Sequence, residues 1–346
     1  MVTTLIIIIV ISLIFDFLNG FNDSANIVSS MIASRALSPR QALGIIAIAE
    51  FCGPFLLGVA VATTLGKELL KLQVTPQELP IILAAICAAV VWNLTTFTLA
   101  IPSSSSHSLV GGLIGAGIAN NVLAYSQNGF NNIDDLYQVI QIVHFSGIVK
   151  VIIALLISPP LGFLAGYIIL KLILFLARKA TPKINWLFKR GQIITAISLA
   201  LSHGSNDAQK TMGMITMALF AGGMLSEFKI PIWVVALSAG TIALGTAIGG
   251  WRLIRTLGGG LYKIRPVHGF AIQLSSAAVI LGASIFGGPV STTQVVASSV
   301  MGTGSAERFS KVRWGVGKQI FLTWIISIPS SALIAVVVYF IVRRFL

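Results

Sequence analysis

Asp23 and Asp207 are the two residues on which chemistry most plainly converges. Each closes a Gly-x-Asn-Asp tetrapeptide, one in Asn19-Gly20-Phe21-Asn22-Asp23-Ser24-Ala25-Asn26, the other in His203-Gly204-Ser205-Asn206-Asp207-Ala208-Gln209-Lys210, and each segment interrupts an apolar run. A carboxylate at membrane depth is costly and marks an ion or substrate path. Asn and Asp are also good helix caps, so the same residues suit the ends of a broken helix. The two readings are compatible. Backbone N–H groups at a half-helix N-terminus attract anions, while carboxylates and the carbonyls before a break suit a cation such as Na+. A second pair of polar segments, Pro102-Ser103-Ser104-Ser105-Ser106-His107 and Pro289-Val290-Ser291-Thr292-Thr293-Gln294, aligns on its prolines so that Ser104, Ser105 and Ser106 face Ser291, Thr292 and Thr293. Hydroxyls donate to anion oxygens or lend oxygen to a cation. A small-residue helix contact is the structural alternative. Four serines after a proline, paired with a second hydroxyl cluster, favour an anion site. Neither cluster contains Arg, so an oxyanion held there could also be released, with co-transported cations supplying counter-charge.

The elements that must position these residues are membrane helices. Of 346 residues, 56% are hydrophobic and 10% charged, with mean hydropathy +0.94, far too little charge for a soluble surface. A crossing takes roughly 20 apolar residues, which leaves room for about ten to twelve. The expected class is an all-α polytopic protein with broken helices and re-entrant hairpins, because irregular backbone at membrane depth is tolerated only where it is buried or lines a cavity. Val2 to Phe15 lacks a basic leader and a small-residue cleavage site and reads as the first membrane helix. Cys52 and Cys87 both lie in apolar runs, which argues against a disulfide framework or a metal cluster.

The motifs recur. The first pair is offset by 184 residues. The hydroxyl clusters, Gly115 with Gly302, Gly117 with Gly304 and Ala119 with Ala306 are offset by 187, and Gly53 and Gly58 match Gly240 and Gly245 at the same offset. This is an internal duplication, with halves expected at 1–177 and 192–346 around a basic linker, 178–191. Glu50, matched with Leu237 at that offset, is an acid peculiar to one half, which suggests ion coupling or gating. Ser24, Asn26, His107, Gln209, Lys210 and Gln294 are secondary candidates beside the motifs. His203, with no histidine at the matching position, ranks with His107. Asp16, His144, Lys150 and Lys171 receive no role.

Loop charge reverses between the halves. Arg35 and Arg40 face Glu227 and Lys229. The neutral stretch Gly66 to Glu78 faces Arg252, Arg255, Lys263 and Arg265. Asp134 and Asp135 face Arg308, Lys311 and Arg313 with Glu307. Under the positive-inside rule the halves are inverted, with the linker cytoplasmic and both termini external. Arg343 and Arg344, and the parity of the apolar segments, run against this. The net charge of +13 sits mainly in short loops and reads as positive-inside bias and attraction to lipid headgroups, not nucleic-acid binding. Ser106-His107 is adjacency without a base–orienter set, and no His-Glu-x-x-His spacing occurs, so no enzyme is expected. The chain reads as a carrier of a small inorganic anion, with sulfate or another oxyanion, or an anion channel, as rivals.

The four motifs, in order, resemble the paired motifs of the PiT family, the inorganic phosphate transporters, over nearly the whole chain. The resemblance implies symport of phosphate with Na+ or H+ across the cell membrane, a duplicated inverted fold and a homodimer, without a cofactor. By motif, Asn22, Asp23, Asn206 and Asp207 would belong to the ion and phosphate site, with Na+ at Asp23 and Asp207. Ser104 to Ser106 and Ser291 to Thr293 would hold phosphate oxygens, and Glu50 matches a family acid linked to transport. The absence of a long soluble loop between the halves resembles the compact prokaryotic form.

Overall fold

A computed structural model describes residues 1–68, 75–99, 101, 103–128, 145–250 and 264–345. Pro102, His144 and most of the compared loops at 66–78, 125–136 and 251–266 lie outside the described residues. Eleven α-helices are described: α1 Val2–Ala33, α2 Pro39–Leu57, α3 Ala60–Glu68, α4 Leu79–Thr98, α5 Ser105–Asn128, α6 Phe145–Leu176, α7 Ile184–Ala221, α8 Ile232–Ile248, α9 Pro266–Ile285, α10 Thr292–Glu307 and α11 Trp314–Phe345. Seven, namely α1, α2, α4, α5, α6, α9 and α11, are long and apolar enough to cross a membrane. α6 and α11 expose Leu156, Leu164, Leu172, Phe321, Leu333 and Val337, faces suited to lipid. The basic stretch after α6 is a short turn followed by the first turns of α7.

The Asn-Asp motifs do not break their helices, contrary to the expectation. Residues 19–26 lie inside the 32-residue α1, and 203–210 inside the 38-residue α7, which at 1.5 Å per residue is about 57 Å long. The apolar runs on either side of the second motif are therefore one helix. The physical reason is that Asn, Asp, Ser and Gly cost a helix only up to about 1 kcal/mol each, neither motif contains proline, and the polar side chains find partners on other helices. The chain does break at the second pair of motifs. α4 ends at Thr98 and α5 starts at Ser105; α9 ends at Ile285 and α10 starts at Thr292. α4 packs on α5 and α9 on α10, giving two hairpins whose tips bring two helix N-termini inward.

The duplication is visible in the packing. α1 packs on α8 as α7 packs on α2, and α5 packs on α11 as α10 packs on α6. Each half therefore completes the other. The equivalent helices α1 and α7 cross antiparallel. Leu5 meets Gly222, and further along the crossing Asn19 meets Asp207 while Asp23 faces His203. Antiparallel crossing of repeat-equivalent helices is the geometry of an inverted repeat. Gly20 lets α1 approach α8 closely and Gly204 does the same for α7 on α2: a Cβ on Gly20 would lie 2.1 Å from the Ile242 carbonyl oxygen, and one on Gly204 2.3 Å from that of Glu50.

These contacts correct one alignment. Gly53 packs on Leu201 and Ser205, and Gly245 packs on Phe17 and Phe21. Phe17 and Leu201 are equivalent, so Gly53 corresponds to Gly245 and not to Gly240, an offset of 192 residues. The helix start agrees, since Pro39 opens α2 and Pro231 caps α8. The counterpart of Glu50 is accordingly Ile242, not Leu237. The acid remains unique to one half.

Candidate functional site

Around the two Asn-Asp motifs, the α1–α7 crossing gathers five ionisable side chains, all buried: Asp23, Glu50, His203, Asp207 and Lys210. Position 26 or 210 lies one turn beyond each aspartate, on the same helix face. Asn26 Nδ2 donates to Asp23 Oδ1 at 2.7 Å, and Lys210 Nζ pairs with Asp207 Oδ1 at 2.8 Å. Position 19 or 203 lies one turn before the aspartate and reaches across to the other half. Asn19 Nδ2 donates to Asp207 Oδ2 at 2.9 Å; His203 Nε2 lies 3.6 Å from both Asp23 Oδ2 and Asp207 Oδ2. His203 Nδ1 is 2.8 Å from Glu50 Oε1. The halves thus use the same geometry with different charge: Asn19 and Ile242 occupy on one side the repeat positions that His203 and Glu50 occupy on the other.

The hairpin tips close onto this cluster. Thr293 Oγ1 donates to Asp23 Oδ1 at 2.8 Å, and Thr292 Oγ1 to Asp207 Oδ2 at 3.1 Å. Lys210 Nζ donates to Ser105 Oγ at 3.0 Å, and Asn26 Nδ2 to Thr293 Oγ1 at 3.2 Å. Ser104 and Ser291 have equivalent capping roles, accepting the backbone N–H of His107 at 3.2 Å and of Gln294 at 3.3 Å. Ser106 Oγ donates to the Val290 carbonyl at 2.9 Å, tying one tip to the other. His107 Nδ1 lies 2.9 Å from the Trp324 carbonyl, which assigns its proton to Nδ1 and leaves Nε2 to accept from Gln294 Nε2 at 3.1 Å. These equivalent residues meet where the two halves join.

A small cavity opens beside the crossing. It is lined by Asn19, Asn22, Asp23, Asn26 and Thr293, by Ser103 and Ser105 at one tip, and by Asn93, Thr96, Phe97 and Ile101. Asn22 Oδ1 and Asp23 Oδ2 are buried without a hydrogen-bond partner among the described residues. The cavity therefore offers unused oxygen acceptors, hydroxyls and the N-terminus of α5, a mixture suited to a cation and an oxyanion together. Asp23, His203 and Asp207 each place one ligand atom within 4.8 Å of the others, close enough to share one cation when His203 is neutral. Three carboxylates against one lysine and one histidine leave this cluster at formal charge −1 with His203 protonated and −2 with it neutral.

The structure gathers Asp23, Asp207, Glu50, Asn26, Lys210, Ser105, Thr292 and Thr293 directly, and Asn22 at the cavity wall. Asn206 joins the cluster through its aspartate and not at the cavity wall: with its amide oriented to satisfy both ends, Oδ1 accepts from Ser284 Oγ at 2.9 Å while Nδ2 donates to the Val290 carbonyl at 3.2 Å and to Asp207 Oδ1 at 3.3 Å. Ser24 and Gln209 work elsewhere. Gln209 joins the Gly58 carbonyl at 2.8 Å and the Ala62 N–H at 3.0 Å, and Ser24 accepts the Gly250 N–H at 3.0 Å, so both hold the ends of α2 and α8. Sequence reasoning passed over Asn19 and undervalued His203, although their shared place one turn before each aspartate was a usable signal. Asn93 and Thr96, polar residues in the apolar α4, were another.

The model of the phosphate transporter family matches residues 19–186 and again 176–335. A Bacillus subtilis (strain 168) protein described as a "probable low-affinity inorganic phosphate transporter" is 39% identical over 340 residues, covering 98% of this chain and 97% of its own. A Rhizobium meliloti (strain 1021) protein of the same description is 38% identical, covering 96% and 94%. A solved structure described as "the sodium-dependent phosphate transporter" superposes with a TM-score of 0.87 at 25% identity, over 99% of this chain and 100% of that one. The repeated match, the two hairpin tips and the paired aspartates agree, and this multi-pass membrane protein, a transporter and not an enzyme, belongs to the phosphate transporter family.

Proposed function

We propose that the chain is a secondary active symporter that moves inorganic phosphate with a cation, Na+ in preference to H+, by alternating access. One observation carries the reading. Two repeat-related buried aspartates each accept a hydrogen bond from a threonine at the N-terminus of α10, so an anion at the hairpin tips and a cation at the aspartates would sit within direct electrostatic reach. Phosphate would take the hydroxyls and helix ends of Ser104–Ser106 and Ser291–Thr293, with Asn22 and Asn206 supporting. Na+ would take Asp23 and Asp207 with neighbouring oxygens. Each ion lowers the cost of burying the other, which is reciprocal linkage. Glu50, held against His203, would act in coupling or gating. The halves, 1–177 and 192–346, would move against each other, with the linker 178–191 at the cytoplasmic face and both termini outside by the positive-inside rule. A homodimer follows from the family resemblance.

The test is labelled phosphate uptake into proteoliposomes under an inward Na+ gradient, then an inward H+ gradient, with sulfate as competitor. Saturable uptake driven by Na+ and resistant to sulfate is expected. Uptake driven only by H+ overturns the choice of Na+. Strong competition by sulfate replaces the substrate, and unsaturable, cation-independent flux replaces the carrier with a channel.

A further inference from the structure

Beyond the central cluster, α1 carries a second acid that the proposed site leaves unused. Asp16 is fully buried, and neither carboxylate oxygen has a hydrogen-bond partner among the described residues. Ser12, one turn earlier on the same face, is also fully buried with an unpartnered hydroxyl. The Thr211 hydroxyl of α7 faces the Asp16 carboxylate within interaction range, yet it too lacks a hydrogen bond of good geometry. The antiparallel register of α1 on α7, with Leu5 at Gly222 and Asn19 at Asp207, sets Asp16 opposite Thr211. The charged groups whose fields reach Asp16 are Asp207, Lys210 and Glu50. Lys210, the one cation among them, is committed to Asp207 at 2.8 Å and Ser105 at 3.0 Å.

The repeat supplies an internal control. At the offset of 184 residues, Ser12 and Asp16 correspond to Ala196 and Ala200, and Thr211 to Ile27. Those three counterparts are fully buried in an apolar cluster. The same packing position is therefore built without oxygen on one side of the crossing, and the fold does not require the polar version on the other. Buried polar oxygens without partners are rare and need an explanation; an uncompensated buried carboxylate needs a counter-charge.

We propose that Asp16, with the hydroxyls of Ser12 and Thr211, forms a separate binding site for a monovalent cation, Na+, between α1 and α7. Carboxylate and hydroxyl oxygens are the ligands a hard cation takes. The site rests on the reading of this chain as cation-coupled, and adds to it a cation that does not touch the anion. Its binding lowers the negative charge facing the central cluster.

The experiment measures 22Na+ bound per chain at equilibrium to the purified protein, with and without phosphate, for wild type, Asp16→Asn, Thr211→Val and Asp23→Asn. Asp16→Asn is expected to bind one Na+ fewer than wild type in both conditions. Thr211→Val is expected to keep the number and lose several-fold in affinity, and Asp23→Asn to keep the Asp16 ion while losing a central one. The unfolding midpoint in Na+-free choline buffer provides a second readout: Asp16→Asn, freed of an uncompensated charge, is expected to unfold later than wild type and to gain less from added Na+. If Asp16→Asn does not fold, the affinity loss of Thr211→Val and of Ser12→Ala decides. Unchanged Na+ number and affinity in Asp16→Asn, or in both hydroxyl variants, overturns the site while leaving cation coupling intact. A wild type that binds no Na+ overturns both the site and the choice of Na+ as the coupling ion.

Discussion

Asp23→Asn and Asp207→Asn are equivalent by sequence and should not be equivalent in stability. Asp23 Oδ1 accepts from Asn26 Nδ2 at 2.7 Å and Thr293 Oγ1 at 2.8 Å, both neutral donors that the amide carbonyl of the Asp23→Asn variant still satisfies. Its cationic neighbour among the described residues is His203 at 3.6 Å, which retains Glu50 at 2.8 Å. The expected cost is about 1 kcal/mol, the scale of one altered hydrogen bond. Asp207 neutralises Lys210 at 2.8 Å, and Lys210 is 1% exposed. Asp207→Asn leaves that ammonium buried with the Ser105 hydroxyl as its remaining partner. It also asks a single amide oxygen to serve Lys210, Asn19 and Thr292. Removing one partner of a buried pair costs about 3–5 kcal/mol. Asp207→Asn should therefore be the less stable by roughly 2–4 kcal/mol, and Asp207→Asn with Lys210→Met should recover most of the difference. Equilibrium unfolding of the purified variants measures this, with phosphate uptake run in parallel; both single variants should lose coupled uptake. Equal destabilisation, or no rescue by Lys210→Met, refutes the assignment of the ion pair.

Gln209→Ala should lower stability by about 1–3 kcal/mol, since it strands the Gly58 carbonyl and the Ala62 N–H; variants that fold should keep the wild-type KM for phosphate, and a raised KM would return Gln209 to the site. Gly204→Ala must displace the Glu50 backbone, 2.3 Å from the new Cβ, at about 1–3 kcal/mol, and should depress uptake even where expression is normal. In equilibrium binding, saturating Na+ should tighten phosphate by the same factor that saturating phosphate tightens Na+; unequal factors would show that the two ions do not share one linked state.

The membrane class and the two motif pairs are legible because polar residues at fixed offsets stand out against an apolar chain. The register of α2 on its counterpart is not. Gly53 and Gly58 are five residues apart, and so are Gly240, Gly245 and Gly250, so sliding the alignment by five residues matches glycines equally well. The backbone contacts of Phe17 and Leu201, with Pro39 and Pro231 at the matching helix starts, decide between the two. The expected breaks at Asn19–Asn26 and His203–Lys210 fail for a related reason. Polarity within a helix signals a partner as readily as an end, and here the partners lie across the crossing, nearly two hundred residues away in sequence. His203 gains no weight from the repeat because its counterpart is Asn19, although the pair occupies one geometric place with two chemistries.

That last point bears on mechanism. In an inverted repeat, inward- and outward-open states arise when the halves exchange conformations. With identical halves the two states would be related by symmetry and equal in energy. At this crossing the charged departures from the repeat fall on one set of contacts: Lys210 stands where the other half has Asn26, His203 where it has Asn19, Glu50 where it has Ile242, and Asp16 where it has Ala200. On the proposed symport, these substitutions set the energy difference between the two open states. They add four ionisable groups around the two repeated aspartates, and the sum remains negative. On the same proposal, cations entering that field would stabilise it before phosphate arrives, because an anion brought first would add to the uncompensated charge. On the proposed symport, a binding order of cation before anion would follow mainly from the two aspartates that the halves share, since the four added groups sum to zero with His203 protonated and to −1 with it neutral.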